Sequence, residues 1–443
     1  MKSNFSTIQK IKNTLGVFFI ILGILCSEWI FERVFSTYAV MEFNKRISIW
    51  MLELILIMLG LILMLIKTEK KSLEKLNEYY KLIAITLFNT FLLFVFANLL
   101  AFSVLAAKDI FFYKNQIFVK YGELSDNLYP DLDKKQINEL LRETWSRPYS
   151  YEPYTQFKER TYKGKYINVS EHGFRHVKNQ GPWPPDSKHF NIFLFGGSTT
   201  FNYGVSDEHT IASYLQEMLS NLKSTDGIYV YNFGRGNYFS SQERILFQKL
   251  LVDNFIPNLA IFVDGINDFY HYDGMPFYTK RLQGFVEKGG NLFEMPLIKA
   301  IKSLQGSNKN TFTTEEEKYN NLDLITKVIE RYITNKKLIE ASGKIFNVKT
   351  VFVWQPSPTY KYDLKYHKFA KDGFGGFTYS KYGYKQMEKI KSTLGNNFFW
   401  LADMQAGIER PLYVDIDHYS QEMSKEIANN IHNFLIQNSL VSL

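Results

Sequence analysis

The sequence has a single cysteine among its 443 residues, and it lacks the short motifs that mark several common classes of protein. Cys26 lies inside an apolar run, so it provides neither an intrachain disulfide nor a cysteine-based metal site. A P-loop, a dinucleotide-binding fingerprint and a His-Glu-x-x-His helix are all absent. The 52 Lys and Arg residues exceed the 44 Asp and Glu residues, but they form no cluster typical of nucleic-acid binding. We therefore expect no cofactor, no metal ion and no nucleic-acid partner.

Three long apolar stretches occupy the first quarter of the chain, at about residues 13–33, 49–66 and 82–107. Each approaches the roughly 20 residues that a helix needs to cross a bilayer. The first resembles a signal peptide, but it lacks a small-residue cleavage site and two further stretches follow it. Buried core helices are the alternative, which the length and low charge of the stretches disfavour. The sequence predicts a membrane anchor over residues 1–107 with three transmembrane helices.

Lysines indicate the orientation of this anchor in the membrane. Lys2, Lys10 and Lys12 precede the first stretch, and five more lysines lie within residues 67–81 between the second and the third. Positively charged segments stay in the cytoplasm. The N-terminus is then inside, and three crossings place everything after Ala107 outside. We expect a multi-pass protein of the cytoplasmic (inner) membrane, with membrane lipids as partners and an extracytoplasmic C-terminal region.

Residues 190–443 alternate short apolar runs with amphipathic segments. The strand candidates are 190–195, 228–233, 259–263, 350–354 and 398–401. The helix candidates are 210–222, 241–254, 315–342, 382–394 and 420–438. This alternation predicts an α/β domain with a parallel sheet and right-handed crossovers. Residues 269–314 contain glycine and proline without a strong period, and a loop this long could form a lid or a substrate wall.

Residues 108–189 connect the anchor to this domain and are rich in aromatic residues. Residues 134–143 have a helical pattern, and Trp145, Tyr149, Tyr151 and Tyr154 follow. The favoured interpretation is an aromatic collar that packs the domain toward the membrane. The alternative is a wall that contacts carbohydrate, since aromatic faces stack on sugar rings.

Short polar motifs follow three of the strand candidates in order, and a fourth lies near the C-terminus. The motifs are Gly196-Gly197-Ser198, Gly234-Arg235-Gly236-Asn237, Asp264-Gly265-Ile266-Asn267-Asp268 and Asp415-Ile416-Asp417-His418. Ligands of open α/β sheets bind at the carboxyl ends of the strands, where a serine is well placed to act as a nucleophile. Together the four motifs resemble the blocks of the SGNH (GDSL-like) hydrolase family, from about residue 190 to the C-terminus.

This resemblance implies a flavodoxin-like, three-layer fold and a Ser-His-Asp site. Ser198 is the implied nucleophile, with its hydroxyl exposed at the end of the first strand. His418, at the start of the last helix, is the implied base, and Asp415 orients its ring. Asp417 is a rival for the role of Asp415. The family spacing favours Asp415, and the side chain of Asp417 is expected to point away.

The resemblance also implies an oxyanion hole. Its donors are the backbone N–H of Ser198, the side-chain amide of Asn267 and a second backbone N–H. Gly236 and Asn237 are both candidates for that second donor. One departure from the family pattern is Gly197, which stands where the family usually has an aspartate that is not part of the triad.

Two other interpretations fit less well. The nucleophile elbow of α/β-hydrolases requires a glycine where this chain has Thr200. His271 and Asp273 lie near Asn267, but two ligands do not make a metal site.

These residues lead to an expected function and two alternatives. The expected function is a membrane-anchored serine esterase that removes acyl groups, acetyl among them, from an envelope glycan or lipid. The first alternative is an O-acyltransferase with the same triad, in which a sugar hydroxyl replaces water. Three spans look too few to move acyl groups across a membrane unaided, so a transferase would need an acyl-donor membrane partner or an external donor. The second alternative is a non-catalytic envelope scaffold.

Overall fold

The computed structural model describes residues 2–27, 43–65, 70–117, 128–222, 227–288 and 318–441. The chain forms two compact units. The first consists of Met1–Ile110 with Lys280–Lys309, and the second of Phe111–Thr279 with Asn310–Leu443.

The first unit contains three helices from the N-terminal part of the chain. They are α1 (Lys2–Leu25), α2 (Phe43–Leu65) and α3 (Lys70–Ile117), of which residues 70–110 belong to this unit. Helices α1 and α2 pack against each other at Gly16 and Gly60, where an added Cβ on Gly16 would lie 2.8 Å from the Gly60 carbonyl oxygen. Small residues of this kind allow two apolar helices to approach closely.

One helix in the described part of the chain is long and apolar enough to cross a membrane. It is the 30-residue segment Glu78–Ala107 of α3, and its most apolar part is not buried. The apolar segments of the first two helices, Lys12–Leu25 and Ile49–Leu65, are shorter. Length and composition thus support the third predicted span. The apolar segments of the first two helices are shorter than the 18 residues set for a crossing helix. Residues 28–33 and 66 of the predicted spans lie outside the described residues.

The second unit is built on a five-stranded parallel sheet. Its strands are β5 (Phe190–Gly196), β6 (Ile228–Asn232), β7 (Leu259–Asp264), β8 (Lys349–Trp354) and β9 (Phe398–Trp400). Their spatial order is β6-β5-β7-β8-β9. Counted along the chain this is 2-1-3-4-5, the flavodoxin-like order. All five predicted strands are present, each within one residue of its predicted ends.

Helices cover both faces of the sheet and give three layers. One face carries α7 (Ser240–Val252), α10 (Leu322–Ile345) and α11 (Thr378–Ile390), and the other carries α6 (Ile211–Ser220) and α12 (Gln421–Gln437). Strand β5 shows why both faces need cover. Phe193 and Phe195 belong to the apolar core under α7, α10 and α11. Ile192 and Leu194 belong to the core on the opposite face, under α6 and α12. Side chains alternate across a strand, so a wholly apolar strand must be buried on both sides.

Residues 128–189 pack on this sheet unit. They form α4 (Lys134–Trp145) and the short strands β1 (Tyr149–Glu152), β2 (Gln156–Glu159), β3 (Tyr162–Lys163) and β4 (Asn168–Val169). Leu140, Leu141 and Ile167 form an apolar cluster with Phe201 and Tyr203 from the turn after β5. The connecting region therefore packs against the segment that carries Ser198.

Three predicted segments differ from the structure. The helix expected over 382–394 is α11, which begins and ends four residues earlier, at Thr378 and Ile390. The helix expected over 315–342 corresponds to α10, Leu322–Ile345, where Asn321 caps the first turn by accepting the N–H of Leu324, and residues 315–317 lie outside the described residues. The segment 269–314 is not wholly a loop, because it includes α9 (Thr279–Lys288) and the end of α8 (Ile266–Tyr270). Residues 289–314 lie outside the described residues, so the lid stays a prediction.

Candidate active site

Ser198 is the first residue of a one-turn helix, α5 (Ser198–Phe201), directly after β5. Glycine is required on both sides of this turn. A Cβ at Gly197 would overlap the side-chain nitrogen of Asn267, and one at Gly234 would overlap the backbone of α5. A side chain at position 197 would therefore have to displace the amide of Asn267. Ser198 as a whole residue is 8% exposed, and its side-chain oxygen is not among the fully buried, unpartnered polar atoms of the described residues.

A buried arginine from the connecting region clamps the end of α5. The Arg175 guanidinium donates to the carbonyl oxygens of Phe201, Asn202 and Val205 at 2.6–2.7 Å and to Asp207 at 2.8 Å. These carbonyls lie where a helix exposes unpaired acceptors, so a cation there is favourable. Burial lowers the pKa of Arg175, and the charge of Asp207 opposes that effect. Sequence reasoning did not identify this clamp.

His418 and Asp415 form the contact that their spacing predicts. Nδ1 of His418 lies 2.8 Å and 2.7 Å from the two carboxylate oxygens of Asp415. Asp415 Oδ1 also accepts the backbone N–H groups of Asp417 and His418. Burial alone would raise the pKa of Asp415, but the charge and hydrogen bonds of His418 hold it below its usual value. An ionised Asp415 can only accept, so it fixes the ring proton on Nδ1 and leaves the lone pair on Nε2.

The turn that carries these residues differs in two details from expectation. The last helix begins at Gln421 with Ser420 as its cap, so His418 precedes the helix instead of opening it. Asp417 does not point away, because its Oδ1 lies 3.3 Å from Nδ1 of His418. That contact is longer than those of Asp415, which remains the better orienting group.

Asp415, Asp417 and His418 are also close enough together to hold a metal ion. Asp415 accepts hydrogen bonds from three donors within the turn, and these bonds explain its position without a metal ion. His271 and Asp273 do not converge on a ligand. Nδ1 of His271 lies 3.0 Å from the carbonyl oxygen of Met275, and Asp273 accepts the Met275 N–H.

One buried glutamine ties the serine segment to the histidine turn. Oε1 of Gln355, which follows β8, accepts Thr199 Oγ1 at 2.7 Å and the Tyr419 hydroxyl at 2.9 Å. Thr199 and Tyr419 are the chain neighbours of Ser198 and His418. The structure therefore brings the two distant motifs to the same edge of the sheet. A polar residue directly after an apolar strand is the only sequence signal that could have pointed to Gln355.

Two aromatic side chains enclose the imidazole of His418. The ring of Tyr203 stacks on it with centroids 5.4 Å apart, and Trp145 meets it edge-on at 5.6 Å. Tyr203 belongs to the turn after α5, where its N–H donates to the carbonyl of Ser198. Sequence reasoning placed Trp145 in the collar and did not connect either ring to His418.

The implied oxyanion donors converge on the same turn. Nδ2 of Asn267 donates to the carbonyl of Tyr238 at 2.7 Å and lies against Gly197. Since an amide NH₂ has two hydrogens, one can still reach a substrate oxygen. The choice between Gly236 and Asn237 has a physical basis, because the Gly236 N–H donates to Glu159 at 3.0 Å. Within the described chain, we find no acceptor for the Asn237 N–H.

Buried acids support the helix that carries Asn267. Asp264, Asp268 and Glu243 are fully enclosed, and burial together with their mutual repulsion raises the pKa of Glu243 and Asp264 well above the usual values. Ser240 donates to Asp268 at 2.6 Å. Raised pKa values favour protonated, neutral carboxyls, which can occupy a buried site at lower cost than carboxylates.

No family model and no curated protein matches this sequence. Solved structures with similarity to the chain include a lipolytic protein of the G-D-S-L family from Veillonella parvula, at 11% identity and a TM-score of 0.31, covering 56% of this chain and 96% of that one. A lipase/acylhydrolase from Enterococcus faecalis has 14% identity and a TM-score of 0.32, with coverage of 56% and 96%. An esterase from Pseudoalteromonas sp. has 12% identity and a TM-score of 0.29, with coverage of 56% and 97%. Similarity at this level assigns neither an activity nor a substrate, so function has to be inferred from the site itself.

Proposed function

We propose that this chain is a membrane-anchored serine esterase of the SGNH type that removes acyl groups from an envelope glycan or lipid. The observation that carries this proposal is the Asp415–His418 pair, whose ring stacks on a residue of the Ser198 turn. A lone buried histidine has many structural explanations. A histidine with Nδ1 held by a carboxylate is equipped to activate a hydroxyl, and Ser198 supplies one on the turn whose Tyr203 ring stacks on His418.

The proposed reaction proceeds in two acyl transfers. Ser198 Oγ attacks the ester carbonyl carbon while Nε2 of His418 takes the hydroxyl proton. The imidazolium, stabilised by Asp415, then gives that proton to the leaving alcohol oxygen, and an acyl-serine remains. Water repeats the sequence with His418 as the base, which releases a carboxylic acid and restores Ser198.

Three donors are proposed to stabilise the negative charge that develops on the carbonyl oxygen. They are the backbone N–H groups of Ser198 and Asn237 and the amide of Asn267. Fixed donors in an enclosed site need no reorganisation during the reaction, which is why they lower its barrier. Asn237 has a φ of 58°, a left-handed conformation that only glycine and asparagine adopt readily.

The location of the site is also part of the proposal. Three membrane helices with a cytoplasmic N-terminus would place the sheet unit outside the cytoplasmic membrane. The substrates available there are acylated glycans and lipids of the envelope. The lysines that precede the first apolar stretch and separate the second from the third support this orientation.

An assay with a chromogenic acetyl ester separates the esterase from its alternatives. The full-length chain, purified in detergent, should release the chromophore and free acetate at a rate that a sugar acceptor does not change. An acceptor that accelerates release and becomes acetylated would favour the acyltransferase. Absence of any release above the Ser198→Ala background, with several acyl chain lengths tried, would favour the scaffold.

Reporter fusions test the topology. A reporter that works only outside the cytoplasm should be active after Val40 and after Leu443, and inactive near Lys75. The Val40 fusion tests the first span separately, which matters because the apolar parts of α1 and α2 are short. As a matched control, deletion of residues 82–107 should inactivate the reporter after Leu443. Activity near Lys75 would overturn the proposed orientation.

A further inference from the structure

We propose that Glu159 is a positioning residue. It fixes the position of residues 234–237, the oxyanion loop, relative to the catalytic histidine His418. This inference rests on the proposed function and adds to it a residue from outside the four motifs. Glu159 is the last residue of β2 and is 1% exposed. A carboxylate buried this deeply is costly unless each oxygen is compensated, so its partners indicate its purpose.

Glu159 connects directly to the loop that carries Asn237. Oε1 accepts the backbone N–H of Gly236 at 3.0 Å. This bond removes one of the two candidate donors from the oxyanion hole and fixes the peptide that precedes the Asn237 N–H. A side chain at position 236 would overlap the hydroxyls of Tyr149 and Tyr203, so the loop can approach Glu159 only with glycine there.

The same oxygen connects to the histidine. Oε1 of Glu159 accepts the hydroxyl of Tyr203 at 2.7 Å, and the ring of Tyr203 stacks on His418. One carboxylate oxygen therefore holds both a neighbour of an oxyanion donor and the ring that supports the base. Misplacement of reacting groups by about 1 Å can cost a hundredfold in rate, so a common anchor for both has a large effect on catalysis.

Arg147 makes this arrangement compatible with an oxyanion. An unpaired carboxylate near the reacting carbonyl would oppose the negative charge that develops there. Arg147 Nη2 lies 3.3 Å from Oε2 of Glu159, both side chains are 1% exposed, and its other terminal nitrogen donates to the Glu143 carbonyl. The charge of Glu159 is thus neutralised, and its hydrogen bonds remain.

Glu159→Gln tests the inference with little change in shape. The amide has one acceptor oxygen, so it can face either the Gly236 and Tyr203 donors or Arg147, but not both. We expect kcat for ester hydrolysis to fall about tenfold to a hundredfold with KM within threefold of wild type. The rate at which a fluorophosphonate labels Ser198 should fall by a similar factor, because that reaction uses the same donors and base.

Glu152→Gln is the matched control. Glu152 lies on the same hairpin and is 4% exposed, and it pairs with Lys249 at 2.6 Å and Lys158 at 3.3 Å. This control variant should keep kcat within twofold. An equal loss of kcat in both variants would assign the effect to hairpin stability and overturn the inference, as would full kcat in Glu159→Gln.

Tyr203→Phe provides a milder variant if Glu159→Gln cannot be purified. It keeps the ring on His418 and removes the hydroxyl's bond to Glu159 together with its longer 3.2 Å contact with the Tyr149 hydroxyl. We expect kcat to fall about threefold to tenfold with KM unchanged, and an unchanged kcat would overturn the inference. Wild-type protein that neither hydrolyses esters nor labels at Ser198 would instead overturn the proposed function, and this inference with it.

Discussion

Replacement of Ser198 by alanine should lower kcat for ester hydrolysis by a factor on the order of 10⁶. The reason is that the proposed reaction passes through a covalent acyl-serine, which alanine cannot form. Removal of His418 should cost nearly as much, since without its base the hydroxyl is a weak nucleophile. Because the two residues act as a unit, the double variant should be little slower than either single one. Steady-state kinetics on the purified full-length chain measures all three.

Fluorophosphonate labelling checks the nucleophile independently of turnover. Wild-type protein should be labelled at Ser198, as located by peptide mass spectrometry, and Ser198→Ala should not be labelled. Ser206→Ala is a matched control, because Ser206 lies in the same segment and bonds His209. Ser206→Ala should label like wild type. Labelling that persists in Ser198→Ala would exclude Ser198 as the nucleophile.

Replacement of Asn267 by alanine should lower kcat by about 10²–10³, which corresponds to about 2.7–4 kcal/mol of transition-state stabilisation. The variant also loses the 2.7 Å bond from Asn267 to the Tyr238 carbonyl. Loss of one buried hydrogen bond costs about 1–3 kcal/mol of stability. A domain with a stability of about 5–15 kcal/mol should remain folded, so the loss of rate should exceed any loss of soluble, folded protein.

Asn237→Gly is the contrasting variant for the same oxyanion hole. Glycine keeps the backbone N–H and accepts the φ of 58° at this position. The variant loses the bond from the Asn237 side chain to the Tyr149 hydroxyl, so a reduction below about tenfold is expected. If Asn237→Gly abolishes activity while Asn267→Ala does not, the roles given to these two asparagines are reversed or wrong.

Several features could be determined from the sequence because they depend on neighbouring residues. Short apolar runs located all five strands, since a strand buried on both faces needs a largely apolar sequence. The resemblance of Asp415-Ile416-Asp417-His418 to a family motif implied the contact between Asp415 and His418, and a single turn closes their spacing of three residues. The largely apolar stretch 82–107, which lies within the crossing-length segment Glu78–Ala107, could also be identified, because the bilayer sets a minimum length for a crossing helix.

The tertiary structure decided what depends on residues that are distant in the chain. The Gly236 N–H is engaged by Glu159, 77 positions earlier, and the Thr199 hydroxyl meets Gln355, 156 positions later. No local period or motif encodes such pairs. The first arises when the connecting region packs on the sheet, and the second when β5 and β8 end at the same edge of the sheet. The direction of the Asp417 side chain likewise depended on the fold of its turn. In the sequence, Gly197 was only a departure from the motif that the chain resembles. In the structure, the amide of Asn267 lies in the space that a side chain at position 197 would occupy.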